Sequence, residues 1–158
     1  LEYAVRPPVA ALDPAKAPVR PPGWGVLPEG VGLYTPGDLS GPVRLPSTGR
    51  YRVWVKGDIG RRLTISVDGR PVGEVSYETG NQGNYARPLS GTFEAGRRRV
   101  TVERGGGNLR PGDGTPGRLV AVVFEPVDPA PEVRQASPSE WRSVCEEPVD
   151  WVEVVRPG

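Results

Sequence analysis

Apolar and polar residues alternate with a period of two along much of the chain after position 49. In residues 50–56, Tyr51, Val53 and Val55 fall on one side, while the residues between them point the other way. Residues 63–67 alternate in the same manner. Because successive side chains of a strand point to opposite faces of its sheet, both segments are predicted to be strands with one buried face.

A two-residue turn signal follows the second of these strands. Asp68 and Gly69 both tolerate the positive φ angles that a tight hairpin turn requires. The pattern therefore predicts a hairpin that leads into a strand over residues 71–77.

Three further segments have strand character. Residues 86–94 and 98–103 are predicted to pair with each other, with Val100 and Val102 facing inward. Residues 119–124 are apolar on both faces, which is typical of a central strand covered on both sides.

The two ends of the chain have a different character. Residues 1–30 are rich in Pro and are predicted to form an edge strand near Tyr3 and then an extended arm that lies over the body. The C-terminal extension, residues 127–158, is predicted to be irregular, with one helical turn at 138–144 and a last strand at 150–155.

Short strands at roughly ten-residue spacing, joined by Gly- and Pro-rich turns, predict an all-β protein. The fold class that we expect is a jelly-roll β-sandwich of two antiparallel sheets, with both extensions packed on it. A chain of 158 residues is suited to one domain, for which we predict a core at 31–126. Since the sequence contains no Met, we expect it to be a processed chain or a piece of a larger protein.

Charge and hydropathy exclude several kinds of partner. Twenty basic and nineteen acidic residues are interspersed and give a net charge of +1, so no broad field favours nucleic acid or an anionic membrane. The basic triplet at 97–99 is interpreted as a solvated strand edge. The longest wholly apolar run, residues 119–124, is too short to span a bilayer.

Residues for catalysis are scarce. The chain has no His and a single Cys, Cys145, which excludes an imidazole base, a His-activated nucleophile and a zinc site built on His or on several Cys. Glycoside hydrolysis needs only two carboxylates, roughly 5 to 10 Å apart. No acidic residue stands in a motif that assigns it such a role, so we expect a protein that is not an enzyme.

The order of several short motifs resembles carbohydrate-binding modules of the family 6 and family 35 type, which are galactose-binding-like jelly rolls. The motifs are an aromatic before Gly-Asp, a Gly-Arg-Tyr strand start, an Asp-Gly turn, a Gly-rich loop with an aromatic, and an Ala-Gly turn before an alternating strand. They lie at 32–38, 48–53, 67–69, 79–85 and 94–102.

The resemblance implies a sugar site between two loop aromatics at one end of the sandwich. The matching positions are Tyr34 and Tyr85, with Asn108 as a hydrogen-bonding amide and Asn84 beside Tyr85. A pyranose presents C–H groups that pack on an aromatic ring, and its hydroxyl rim needs fixed donors and acceptors.

Trp54 has two interpretations, because it lies opposite the inward set of its strand. It is either a second sugar platform on the sheet or a side chain covered by one of the extensions. Trp24, Trp141 and Trp151 lie within those extensions and are predicted to anchor them.

Many relatives hold a structural calcium. Carried over to this chain, the resemblance implies Glu2 and Asp150 as its ligands.

The expected function is that of a non-catalytic carbohydrate-binding module, part of a larger secreted or envelope-anchored protein outside the cytoplasm. Its partners would be a polysaccharide or cell-envelope glycan and other domains of the parent protein. Two tail segments, 141–145 and 149–154, resemble the extracytoplasmic ends of actinobacterial envelope glycosyltransferases. The alternative is a structural or protein-interaction sandwich without a sugar site.

Overall fold

The computed structural model describes residues 2–5, 9–76, 84–107, 116–128, 132–135 and 152–155. Within these ranges the chain forms twelve strands and a short 3-10 helix at Pro14–Lys16. The strands are β1 (Glu2–Val5), β2 (Ala10–Leu12), β3 (Val31–Leu33), β4 (Gly37–Leu45), β5 (Gly49–Asp58), β6 (Leu63–Val67), β7 (Arg70–Val75), β8 (Leu89–Phe93), β9 (Gly96–Arg104), β10 (Gly117–Pro126), β11 (Glu132–Gln135) and β12 (Val152–Val155).

Two antiparallel sheets form the body of the molecule. The first sheet has the order β2-β10-β5-β8, and β3 pairs with the same edge of β10 as β2. The second sheet has the order β4-β9-β6-β7. Strands from the two ends of the chain form a further small sheet, β11-β1-β12. The predicted all-β sandwich is confirmed.

The core lies between the inner faces of the two sheets. Tyr51, Val53 and Val55 are at most 1 % exposed, and Val100 and Val102 of the second sheet are fully buried. Complete burial of one such aliphatic side chain stabilises the fold by about 1.5–3 kcal/mol. The alternation predicted from the sequence therefore identified the inward residues of both sheets correctly.

The predicted hairpin is also present. Asp68 and Gly69 have φ angles of 49° and 78°, and Val67 pairs with Arg70 across the turn. Both central residues thus adopt the left-handed conformation that joins two twisted strands most easily.

The predicted pairing of residues 86–94 with 98–103 is wrong. β8 pairs with β5 in the first sheet, whereas β9 pairs with β4 and β6 in the second. The chain therefore crosses between the sheets after Phe93, and Gly96, at a φ of 99°, sits where β9 begins. A turn motif between two strands looks the same in sequence whether the strands pair or separate.

Residues 119–124 were predicted to form a central strand covered on both faces. The central position is correct, but the outer face is not fully covered. β10 lies between β5 and the β2 and β3 edge, with a register shift between Leu119 and Ala121. Phe124 is fully buried, but Ala121 and Val123 on the outer face are only half-buried. That face of β10 is therefore partly open to solvent.

The N-terminal arm is packed on the sandwich, as predicted. Trp24 is 1 % exposed, and its indole Nε1 donates a hydrogen bond of 2.8 Å to the carbonyl oxygen of Thr35. Val19 and Ser40 exchange two backbone hydrogen bonds, so the arm also pairs with the edge of β4. The predicted helical turn at 138–144 lies outside the described residues.

Candidate functional site

The register of β5 determines which side chains reach the outer face of the first sheet. Since Val53 and Val55 point into the core, Trp54 and Lys56 point outward. Tyr85 forms an isolated bridge with Lys56, held by the hydrogen bond from the Ala86 amide to the Val55 carbonyl, 2.8 Å long. Residues directly opposite each other share a face, so Tyr85 lies on the outside with Trp54.

Trp54 and Tyr85 form one aromatic cluster. Their ring centroids are 6.0 Å apart, and the rings meet edge to face at 76°. The indole Nε1 of Trp54 donates to Glu125 Oε2 over 2.9 Å, which fixes the ring on the sheet. Lys56 Nζ lies 5.9 Å from the centre of the Tyr85 ring, within the range of a cation–π contact. Tyr85 remains 50 % exposed, so the cluster presents a ring to solvent.

Tyr34 forms a second exposed ring on the same face. Gly32 pairs with Arg118, and Arg118 pairs with Asp58 of β5, so Gly32 and Tyr34, two residues apart, both point outward. A Cβ atom added to Gly32 would lie 2.3 Å from a ring carbon of Tyr34. The ring thus lies against the bare backbone of Gly32 while Tyr34 stays 55 % exposed.

A network of charged groups lies between the two aromatic groups. Arg118 contacts Asp58 Oδ2 through Nε at 3.1 Å and through a terminal nitrogen at 3.0 Å. Its other terminal nitrogen lies 3.5 Å from Glu29 Oε2. The outer face thus offers carboxylate acceptors and guanidinium donors beside the rings, which is what hydroxyl groups of a ligand require. We call the surface formed by Tyr34, Trp54, Tyr85 and this network the aromatic face.

The structure brings Tyr34 and Tyr85 onto one face but keeps them apart. Three strand-to-strand steps, from β3 through β10 and β5 to the segment of Tyr85, separate them by at least about 15 Å. This distance is far longer than one pyranose ring, so the arrangement does not favour the expected single sugar held between both rings. It presents two platforms along one surface.

The structure describes the other predicted site residues only in part. Asn84 is exposed beside Tyr85, and its backbone carbonyl accepts a hydrogen bond of 3.1 Å from Gly57. Asn108 and Asp150 lie outside the described residues, and Glu2 is described only as part of the backbone of β1. Trp54 is half-buried, and the structure describes only part of the two segments that were expected to cover it, the Pro-rich start and the 127–158 tail.

In the described part of the chain, no group of three or more Asp, Glu, Cys or His is placed to hold a metal ion. The described residues form no helix of sufficient length and hydropathy to cross a membrane.

Sequence reasoning missed Gly32, Glu125 and the ion pairs of Arg118. Gly32 carried a usable signal, because a glycine two residues before an aromatic on a strand leaves room for the ring to lie on the backbone. Glu125 and Arg118 carried no such signal in the sequence, because the pairing of β10 with β5 brings them to their partners Trp54 and Asp58.

No protein-family model matches the chain, and no curated protein matches its sequence. Solved structures do match its fold. One is the carbohydrate-binding module CBM36 in complex with calcium and xylotriose, with a TM-score of 0.52 and 14 % identity, over 73 % of this chain and 98 % of that one. Another is the GH26-CBM35 β-(1,4)-mannanase of Podospora anserina, with a TM-score of 0.51 and 13 % identity, over 78 % of this chain and 28 % of that one. The chain thus has the jelly-roll fold found in carbohydrate-binding modules, as its motifs implied.

Proposed function

We propose that this protein is a non-catalytic carbohydrate-binding module and that it binds a sugar chain on the aromatic face. The observation that carries the proposal is the Tyr34 ring, which lies against Gly32 and is 55 % exposed. A ring supported by backbone on one side and open on the other is a platform for the C–H face of a pyranose. Tyr85, supported by Trp54, is the second platform.

The polar groups of the face suit a neutral ligand rich in hydroxyl groups. Asp58 and Glu29 offer acceptors, Arg118 and Lys56 offer donors, and Lys56 lies over the Tyr85 ring. Asn84, adjacent to Tyr85, and Asn108 remain proposed partners for sugar hydroxyls. A small number of polar groups, held at fixed places on an apolar surface, is typical of sites that orient a small ligand.

The spacing of the platforms favours a linear chain of several sugars over a single terminal sugar. At least about 15 Å of sheet surface lies between the two tyrosines, so only an extended ligand contacts both. The fold neighbours support this class, because one was solved with xylotriose and the other is a β-(1,4)-mannanase. We therefore propose linear β-(1,4)-linked glycans as the first ligands to test.

We infer a binding role rather than catalysis. The chain has no His, and on the aromatic face the carboxylates of Asp58 and Glu29 both contact Arg118. Such shared ion pairing is expected of groups that maintain a surface and orient a ligand.

The wider context is also part of the proposal. We propose a location outside the cytoplasm and one domain, residues 1–158, attached to other domains of a larger protein. The fold neighbours support this, since one is a module and the other an enzyme that is much longer than its matched part. A structural calcium with Glu2 and Asp150 as ligands stays a prediction from the resemblance, supported by the calcium in the CBM36 neighbour. A midpoint of thermal unfolding that rises with calcium and falls back with a chelator tests it.

The experiment is a binding titration of the full chain with xylotriose, linear xylan and linear mannan. Tyr34→Ala and Tyr85→Ala should each weaken binding about tenfold, because each removes one platform. The control is Val19→Ala, since Val19 is 48 % exposed beside the second sheet. If no linear glycan binds, or if neither tyrosine substitution weakens binding, the proposal is wrong and the protein-interaction alternative is favoured.

A further inference from the structure

Three arginines project from the outer face of the second sheet, on the opposite side of the molecule from the aromatic face. Arg44 lies on β4, and Arg97 and Arg99 lie on β9. All three alternate with inward residues and are exposed. We call the surface that they form the basic face.

Two of these arginines stand directly opposite each other. Arg44 pairs with Arg97 in the β4–β9 register, and Pro42 pairs with Arg99. The backbone groups of Ser40 bond to Val19, away from β9, so the groups of Pro42 and Arg44 point the same way. Arg44 and Arg97 therefore form a non-hydrogen-bonded pair, the closer kind, with about 4.5 Å between Cα atoms. Like charges directly opposite each other destabilise a sheet.

The nearby acidic groups are already paired, and one of them, Asp68, lines the same surface. Asp68 Oδ1 accepts a hydrogen bond from the Arg99 backbone amide, and Asp68 Oδ2 lies 3.3 Å from the Arg98 guanidinium. Glu94 also faces Arg98, at 3.8 Å. Among the described residues, the side chains of Arg44, Arg97 and Arg99 have no ion pair or hydrogen bond. Thr101 and Ser40 bond to each other at 2.8 Å and add no charge to this face.

A groove runs across the basic face. It has a volume of about 410 Å³, and its lining includes Pro18 and Val19 of the arm, Pro42 of β4, and Arg97 and Arg99 of β9. The arm thus forms one wall, and Arg97 and Arg99 lie on another, with Arg44 directly opposite Arg97 on the sheet. Arg97 and Arg99 are about 7 Å apart along their strand, which spreads the charge along the groove.

We propose that the basic face binds an anionic polysaccharide, a linear glycan that carries carboxylate or phosphate groups. Guanidinium groups pair with both kinds of anion through two parallel hydrogen bonds. A protein partner is less well suited, because the described lining of the groove contains no aromatic side chain to act as an interface anchor, and Val19 is its one exposed aliphatic side chain other than proline. Single-stranded nucleic acid is disfavoured for a related reason, since that lining offers no ring on which bases stack.

This site is separate from the proposed neutral-sugar site and goes beyond it. Neutral glycans test the aromatic face, whereas charged glycans test the basic face, so either proposal can fail alone. With both sites, the module would contact two kinds of chain in one glycan network from opposite sides.

The test is affinity electrophoresis and titration of the full chain with polygalacturonate, with dextran as the neutral probe and poly-L-glutamate as the anionic peptide. The triple variant Arg44→Gln, Arg97→Gln, Arg99→Gln should lose binding to polygalacturonate more than tenfold. The control is Arg62→Gln, because Arg62 is paired with Glu74 at 3.2 Å and lies off the groove. The triple variant should unfold at the same temperature as the unchanged protein or higher, since the repulsion between Arg44 and Arg97 is removed.

Three results would overturn the proposal. They are the absence of polygalacturonate binding, binding that the triple variant retains, and binding of poly-L-glutamate as tight as that of polygalacturonate. The first two would leave the arginines as a solvated face of the second sheet. The third would indicate an acidic protein partner.

Discussion

On the first sheet the outward positions around β5 hold Trp54 and Tyr85, whereas on the second sheet the outward positions of β4 and β9 hold Arg44, Arg97 and Arg99. The inward positions of the same strands are alike, buried and mostly apolar. Both inner faces share one core and must therefore be apolar, but the outer faces meet no such requirement. Their difference in chemistry points to two ligands, one neutral and one anionic.

The largest effect should come from a change that damages both faces at once. Trp24 is buried and anchors the arm that carries Val19 to the basic face and leads into β3, ahead of Tyr34. Trp24→Ala should lower the free energy of unfolding by about 3–5 kcal/mol. Denaturant unfolding measures this. Trp54→Ala is the matched control and should cost less, because Trp54 is only half-buried. Equal losses in both variants would contradict the role given to the arm.

Salt should separate the two faces. Raising the salt concentration from about 0.05 M to about 0.5 M shortens the screening length several-fold. Binding of polygalacturonate to the basic face should then weaken by more than about tenfold, since exposed ion pairs are readily screened. Binding of a neutral glycan to the aromatic face should hardly change. Titrations at the two salt concentrations measure both, and an equal response of the two ligands would remove the distinction between the faces.

A single methyl group should disturb the aromatic face alone. Gly32→Ala places a Cβ 2.3 Å from the Tyr34 ring, so the ring must move off the backbone. Binding of linear neutral glycans should weaken about tenfold, as if one platform were lost. Gly25→Ala is the matched control, because a Cβ there meets nothing within 4 Å. Unchanged glycan binding in Gly32→Ala would mean that the supported ring is not a platform.

The smallest effect should be on the stability of the fold at low pH, through one carboxyl group beside each sheet. Hydrogen bonds from the Arg50 side chain and backbone lower the pKa of Asp128, and a hydrogen bond from the Arg99 backbone chiefly lowers the pKa of Asp68. A carboxyl with a depressed folded pKa stabilises the fold above its unfolded pKa of about 3.9. That stability is lost as the pH falls through the folded pKa.

Asp128→Asn and Asp68→Asn should therefore each lower the unfolding midpoint slightly at pH 7 and leave it unchanged well below pH 3. Both groups are exposed, so the shift should be small. The Asp68→Asn variant should retain the turn, since an Asn-Gly pair also suits it. Thermal unfolding across pH measures the difference, and a shift that persists at low pH would point to a cause other than charge.

Much of the fold and part of the site followed from pattern alone. Alternation is a local property, so it identified Tyr51, Val53 and Val55 as inward, and the Asp68-Gly69 turn needed only two residues. Tyr34 and Tyr85 were predicted to be exposed loop aromatics, and both are at least half exposed. The pairing of β8 with β9 was predicted wrongly, because a link between neighbouring strands does not reveal whether they share a sheet.

The sequence by itself determined which residues face inward, where the hairpin turns, and that the chain lacks the usual catalytic groups. Strand pairing, which joins residues far apart in the chain, decided which outward side chains lie near one another. It set Tyr34 and Tyr85 on one face, at least about 15 Å apart. It also set Arg44 beside Arg97, more than fifty positions away in sequence, and so made a basic face from residues that otherwise look like an ordinary solvated edge.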